Sequence, residues 1–363
     1  MALVSPSCHR PSPPTPSSEF VVETILEGLT IPASLKFAPD GTLLILERGK
    51  LVDGEETPAK LKSVTLANRE ITEISGAPAA FPQFDDESVN LGGALGMELD
   101  PEFAKNQRLY ICYHVKAGEE VFENRLSSFV LEEGRLTQEQ VLVDHVPGNP
   151  MHNGCRVVVG PDGKLYYSTG TADSDSNALD LSSLAGKILR VNRDGSVPDD
   201  NPFADSLVWS SGLRNPQGLG FHPDTGDLWG TDHGSLTNDE LNLIEKGMNY
   251  GWPHCRGTAK LGERFWNDNQ RRQECQLEEP LRDYYRPAVK AYTREGTLAI
   301  SDLTFYRGDA FPDWNGNLLF VTLKTGQLVR VVLDGRRVKK DQRLITGEGE
   351  GFYGRLRDVA IGA

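Results

Sequence analysis

Short apolar runs, each followed by a polar turn and a second apolar run, recur along this chain. The clearest copies are Pro39-Asp40-Gly41-Thr42-Leu43-Leu44 and Pro161-Asp162-Gly163-Lys164-Leu165-Tyr166. Looser copies lead from Pro101 into Arg108-Leu109-Tyr110, from Pro223 through Gly226-Asp227 into Leu228-Trp229, and from Pro312 through Gly316-Asn317 into Leu318-Leu319. Proline presets the first turn position, aspartate caps the turn, and glycine takes the positive φ. The apolar and aromatic run that follows reads as a strand. Another apolar run precedes each turn (Leu35–Phe37, Gly96–Leu99, Arg156–Val159, Gly218–Phe221 and Leu303–Phe305), so each phrase predicts a hairpin. The prolines are 62, 60, 62 and 89 residues apart. An interval near sixty residues holds roughly four short strands with their loops, and four-stranded units repeated radially make an all-β propeller. Two packed sheets with coincidental turns are the alternative, and the near-equal spacing argues against it. The long fourth interval holds a polar, loop-like insertion over about 249–292. The Arg357–Gly362 run looks like the opening of one more unit. The ring therefore has either five blades or a sixth that is incomplete in this chain.

Charge narrows the function classes. Lys+Arg number 38 against 52 Asp+Glu in 363 residues, a formal charge of −14. That argues against a nonspecific binder of nucleic acid or anionic membrane, which needs a basic face. No run approaches the roughly 18 apolar residues of a membrane span. Residues 1–19 are rich in proline and serine, without the apolar core of a signal peptide, and read as a disordered lead before one domain over 20–363. Five cysteines are scattered without a CxxC pair; Cys255 and Cys275 share one stretch and either pair or remain thiols. A disulfide there would imply an oxidising compartment.

Several phrases carry chemistry. His152, in Met151-His152-Asn153-Gly154, is a candidate general base, because imidazole titrates near neutral pH. Arg214 and Asn215 put a guanidinium and an amide in one Pro-Gly-bounded loop, a natural clamp for carboxylate or quinone oxygens. Asp232-His233-Gly234-Ser235, Asn238-Asp239-Glu240 and Asn249-Tyr250-Gly251-Trp252 are rich in hard oxygen ligands suited to calcium. Lys324 follows an apolar strand, and Arg355 and Arg357 alternate around Leu356, so on a strand both would face one side. Three such cations in an acidic protein suggest an anionic ligand. GxGxxG, GxxxxGK[ST], HExxH and GxSxG are all absent, which removes the usual nicotinamide, nucleotide, zinc-protease and serine-hydrolase readings.

Taken together these phrases resemble the soluble quinoprotein glucose/sorbosone dehydrogenases, which include aldose sugar dehydrogenases. The resemblance runs from about Phe20 onward. It also rests on Leu46-Glu47-Arg48-Gly49, Gly92-Gly93-Ala94-Leu95-Gly96, Gly186-Lys187-Ile188-Leu189-Arg190, Asp199-Asp200-Asn201-Pro202-Phe203 and Arg355-Leu356-Arg357-Asp358. It implies a six-bladed propeller, its last blade incomplete here, that oxidises a sugar or related polyol or aldehyde with pyrroloquinoline quinone (PQQ) and calcium and passes electrons to an external acceptor. His152 would be the base and Arg214 would polarise the quinone. Asn215, Lys324, Arg355 and Arg357 would hold the cofactor. Gly234 and Ser235 would offer carbonyls to one calcium, Glu240 and the Tyr250 carbonyl to a second. An extracellular or periplasmic location is also implied. Three positions depart from the family pattern: Leu91 replaces a cofactor-contacting glutamine, Met151 stands where an acid would orient the base, and Ser235 replaces a proline. With Met151 there, the expected rate is low and rises with pH through the ordinary imidazole range. The rival reading is a non-catalytic propeller that has lost the cofactor.

Overall fold

The computed structural model describes residues 20–52, 55–81, 92–119, 121–267, 271–293, 296–346 and 354–362. The lead at 1–19 and Leu91 lie outside them. The described residues form five four-stranded antiparallel sheets, with two small hairpins attached. The first blade comprises Pro32–Phe37, Leu43–Glu47, Lys60–Thr65 and Glu70–Ile74; the second Ala94–Leu99, Arg108–Lys116, Phe122–Glu132 and Arg135–Gly148. The third runs through Gly154–Val159, Leu165–Thr169, Lys187–Val191 and Val208–Ser211; the fourth through Pro216–Phe221, Leu228–Asp232, Asp239–Ile244 and Lys290–Tyr292. Ile300–Phe305, Leu318–Thr322, Leu328–Asp334 and Arg337–Ile345 make the fifth. The first strands of successive blades pack side by side in chain order around an axis.

The repeated turns form as their chemistry requires. Asp40 Oδ1 accepts the Thr42 N–H at 2.9 Å and Asp162 Oδ1 the Lys164 N–H at 3.1 Å, so each hairpin is stapled by its own aspartate. Apolar side chains from facing sheets bury between neighbouring blades: Leu46, Leu61, Met97 and Leu109 between the first and second, Trp229, Leu241, Leu303 and Phe320 between the fourth and fifth. Each such side chain contributes roughly 1.5–3 kcal/mol when fully buried.

Against the expected six blades with the last incomplete, the described sheets number five. Gly354–Gly362 forms no strand, yet it lies between the fifth blade and the first. Leu356 N–H donates to Thr322 O at 3.2 Å, Ser301 Oγ donates to Arg357 O at 2.8 Å, and Leu35 N–H donates to Asp358 Oδ2 at 2.9 Å.

The insertion is also more ordered than its polar composition suggested. Arg264–Trp266 pairs with Arg272–Glu274, and Lys290–Tyr292 supplies the outer strand of the fourth blade. Three-residue strands are too short for an alternating pattern to show. Cys255 and Cys275 are disulfide-bonded within it, against Phe265, Leu277 and Tyr285. A second disulfide joins Cys112 of the second blade to Cys155 of the third, with Cα atoms 5.7 Å apart. No helix among the described residues is long and apolar enough to cross a membrane.

Candidate active site

A cavity of about 260 Å³ opens on the axis, lined by the first strands of all five blades and by Gly354–Gly362. Five arginines line it (Arg48, Arg156, Arg214, Arg355 and Arg357), with no aspartate or glutamate among the described lining residues. His152, Asn215, Gly234 and Ser235 share the wall, as do His233, Gln217 and Asn153. The structure therefore gathers His152, Arg214, Asn215, Arg355 and Arg357, which the chain separates by up to 205 positions.

His152 sits just before the third blade. Its Nε2 lies 2.8 Å from Arg214 Nη2. Guanidinium only donates, so Nε2 is the acceptor and the ring proton is on Nδ1. Nδ1 faces Asp173 Oδ1 at 3.3 Å, an ion-pair distance without the alignment of a hydrogen bond. Burial, reinforced by Arg214 and opposed by Asp175, pushes the imidazole pKa down to about 4, so the ring is neutral near pH 7. Asp173 comes from the loop after the third blade's second strand, and Met151 lies exposed on the rim. That loop lies against His152 because position 170 is glycine: a methyl there would overlap the His152 carbonyl. His152, Ala172 and Asp173 all have positive φ, and such strain clusters at functional sites. Lys187, fully buried, braces the loop through the carbonyls of Asn177, Ala178 and Ala185 at 2.5–3.1 Å.

Arg214 is fixed from several sides. Its Nη1 donates to Gly234 O at 2.9 Å, and its guanidinium lies 5.3 Å over the Trp252 ring, whose Nε1 donates to Asp175 at 2.8 Å. Asn215 Oδ1 accepts the Gly154 N–H at 3.0 Å, tying the fourth blade to the strand beside His152. Asp232 and Asp239, which the sequence offered as cation ligands, hold backbone instead. Asp232 accepts the N–H groups of Arg214 and Asn215 at 2.9 and 2.6 Å. Asp239 accepts those of Gly234, Leu298 and Ala299 at 2.6–2.9 Å.

Two arginines lie deeper. Arg48 is 5% exposed; its Nε donates to Gly92 O at 3.0 Å, and its Nη2 is buried with no hydrogen-bond partner. Burial, then the charges of Arg357 and Arg355, lower its pKa to about 9; burial and Arg355 lower Arg357 to about 10. Arg48 was legible only as part of a family phrase, because its burial and orphaned nitrogen arise from packing.

Lys324 does not join this group. Leu323 fills the wall and Lys324 is exposed beyond it. Glu240 and Tyr250 are buried behind the cavity rather than on it. Glu240 accepts the Gly257 N–H at 2.5 Å and an Asn242 amide N–H at 3.1 Å, while Asn242 Oδ1 is buried without a partner. The Tyr250 hydroxyl donates to Leu243 O at 2.5 Å.

The glucose/sorbosone dehydrogenase family pattern matches residues 29–363. The chain belongs to the glucose/sorbosone dehydrogenase family. It is 30% identical over 358 residues to the aldose sugar dehydrogenase of Escherichia coli strain K12, covering 94% of this chain and 87% of that protein. It is 29% identical over 293 residues to quinoprotein glucose dehydrogenase B of Acinetobacter calcoaceticus, covering 70% of this chain and 58% of that one. The solved PQQ-bound aldose sugar dehydrogenase of Streptomyces coelicolor superposes with a TM-score of 0.75 at 28% identity, covering 96% of this chain and 90% of that one. Glucose/sorbosone dehydrogenases are sugar-oxidising oxidoreductases, and the cavity lies where the five described sheets of this member meet.

Proposed function

We propose that this chain is a PQQ- and calcium-dependent dehydrogenase that oxidises a sugar or related polyol or aldehyde. One observation carries the reading: Arg48, Arg214, Arg355 and Arg357 meet around a cavity that no carboxylate lines among the described residues, and one of them, Arg48, presents an unpartnered buried nitrogen. Buried charge is costly unless paired, so the site suits a polyanion. The tricarboxylate quinone fits that demand, with Arg48, Asn215, Arg355 and Arg357 as its holders. Calcium fits the oxygen donors. Gly234 and Ser235 line the cavity beside Arg214, and the buried Glu240 carboxylate beside the orphaned Asn242 carbonyl suits a second ion held with the Tyr250 carbonyl.

When bound, the quinone would accept hydride from the sugar C1. His152 does the complementary work: neutral, with its proton on Nδ1, it takes the C1 hydroxyl proton at Nε2. Arg214, now shared between His152 and Gly234, supplies positive charge where negative charge develops. Asp173 positions the ring. An external acceptor would then remove the electrons. Gly354–Gly362 is read as the inner edge of a sixth blade, residues 20–363 as one propeller domain, and the two disulfides suit an extracellular or periplasmic location.

The test is to titrate the protein with PQQ and calcium and follow absorbance, then supply glucose. Saturable binding that Arg355→Ala weakens, with bleaching of an artificial acceptor, is expected. No saturable binding by the wild type sinks the reading and favours the non-catalytic propeller.

A further inference from the structure

Where Gly354–Gly362 meets the blades, two acids reach one cation. Asp302 stands in the first strand of the fifth blade and Asp358 in Gly354–Gly362. Asp302 Oδ1 lies 3.1 Å from Arg156 Nε, and Asp358 Oδ2 lies 2.8 Å from Arg156 Nη1. All three side chains are at most 5% exposed. The remaining charges nearby cancel, because Lys36 of the first blade pairs with Glu98 of the second at 2.9 Å. The fourth blade brings neutral groups: Gln217 O accepts from Arg156, Gly218 packs against Ser301, and Thr231 Oγ1 donates to Ser301 O at 2.6 Å. The neighbouring strand of the fifth blade brings Phe320 and Thr322.

Among the described residues, one buried cation thus faces two buried acids. Two ionised carboxylates have no donor between them, yet Asp302 and Asp358 are hydrogen-bonded to each other, so one proton lies in the pair. An ionised carboxylate also accepts at both oxygens, and Oδ1 of each acid is buried without a hydrogen-bond partner. Asp358 has the better support for charge, with Arg156 Nη1 and the Leu35 N–H at 2.8 and 2.9 Å, so the proton sits on Asp302. Burial, which raises Asp302 well above the usual carboxylate range, acts in the same direction.

We propose that the proton held by Asp302 locks Gly354–Gly362 into the ring, so that rising pH loosens the closure and withdraws Arg355 and Arg357 from the axial cavity. With the ring open, Asp302 gives up its proton in the ordinary carboxylate range; the closed ring keeps it. Closure therefore takes up one proton and weakens about tenfold per pH unit above that range, until Asp302 ionises in place. Hydrogen exchange of the Leu356 amide, whose acceptor is Thr322 O, reads the closure without any ligand. Between pH 5 and 7 the wild-type protection factor should fall about tenfold per unit relative to Asp302→Asn. Asp358→Asn leaves Arg156 a single acid and should flatten the profile likewise, so either variant decides if the other does not fold. Protection that changes with pH equally in the wild type and the variants overturns the lock.

Discussion

Two groups of buried arginine lie side by side on the propeller axis, and they are built differently. Arg156 is balanced: its Nε lies 3.1 Å from Asp302 and its Nη1 2.8 Å from Asp358, and it also reaches Ser34 Oγ and Gln217 O at 3.2 and 3.1 Å. One guanidinium thereby joins the first, third, fourth and fifth blades to Gly354–Gly362. The two acids divide the charge. Burial raises Asp302 well above the usual carboxylate range. Burial opposes ionisation of Asp358 too, but Arg156, the Asp302 hydrogen bond and Lys36 outweigh it and hold Asp358 at about 2. Arg48 and Arg357 face the opposite situation, with lowered pKa values and like charges for neighbours. A satisfied buried charge marks a structural joint, whereas gathered cations without carboxylates mark a place prepared for a ligand.

Breaking the joint should have the largest effect. Arg156→Met leaves Asp358 buried without its cation, and a stability loss of about 3–5 kcal/mol is expected in denaturant unfolding. Arg355→Ala is the control, with stability within about 0.5 kcal/mol of wild type. Comparable losses for both would erase the distinction between joint and ligand site.

On the ligand side, His152→Ala should lower kcat by about 10²–10⁴-fold, while PQQ affinity stays close to wild type. Stopped-flow reduction of the loaded protein measures the first and equilibrium titration the second. A kcat equal to wild type would remove His152 from the chemistry.

The unpartnered Nη2 of Arg48 gives a smaller effect. Arg48→Gln should weaken PQQ binding by about 10–100-fold, the worth of one charge-assisted hydrogen bond, with little change in the unfolding midpoint. Unchanged affinity would place Arg48 among the structural arginines.

The smallest effect is a flat line. With the folded imidazole pKa at about 4, His152 is already deprotonated across neutral pH. kcat should therefore be level from about pH 5 to 8 and fall as pH drops through about 4, provided the fold persists. The expectation of a rise near 6.5 assumed a solvated ring, and the buried ring predicts this different profile. A limb near 6.5 would show that the base is more hydrated than its burial implies.

What was readable in the chain was local. The Asp40 and Asp162 turns are encoded within four residues, and repetition of such turns was enough to identify a propeller. His152, Arg214, Asn215, Arg355 and Arg357 stood out because each sits in a distinctive short phrase. What escaped depended on distance in space. Asp173 lies 21 positions after the histidine it faces, so inspecting position 151 could not find it. Cys112 and Cys155 sit in apolar strands of different blades, with nothing in the spacing to pair them. Lys324 shows the limit of a local reading: it follows a strand, and the fold puts its neighbour Leu323 on the cavity wall.

The contacts of Gly354–Gly362 bear on the order of folding. Within each blade, strand pairs form between near neighbours in sequence, which favours fast local assembly. The bond from Leu35 to Asp358 spans 323 positions, and the Arg156–Asp358 pair spans 202. Contacts of such separation form late, after the individual sheets exist. Arg355 and Arg357 reach the cavity only with that step, so a nearly folded chain would still lack part of its anion site. Ligand capture would then select the fully closed ring and stabilise it by mass action, making cofactor loading a report on the completion of folding.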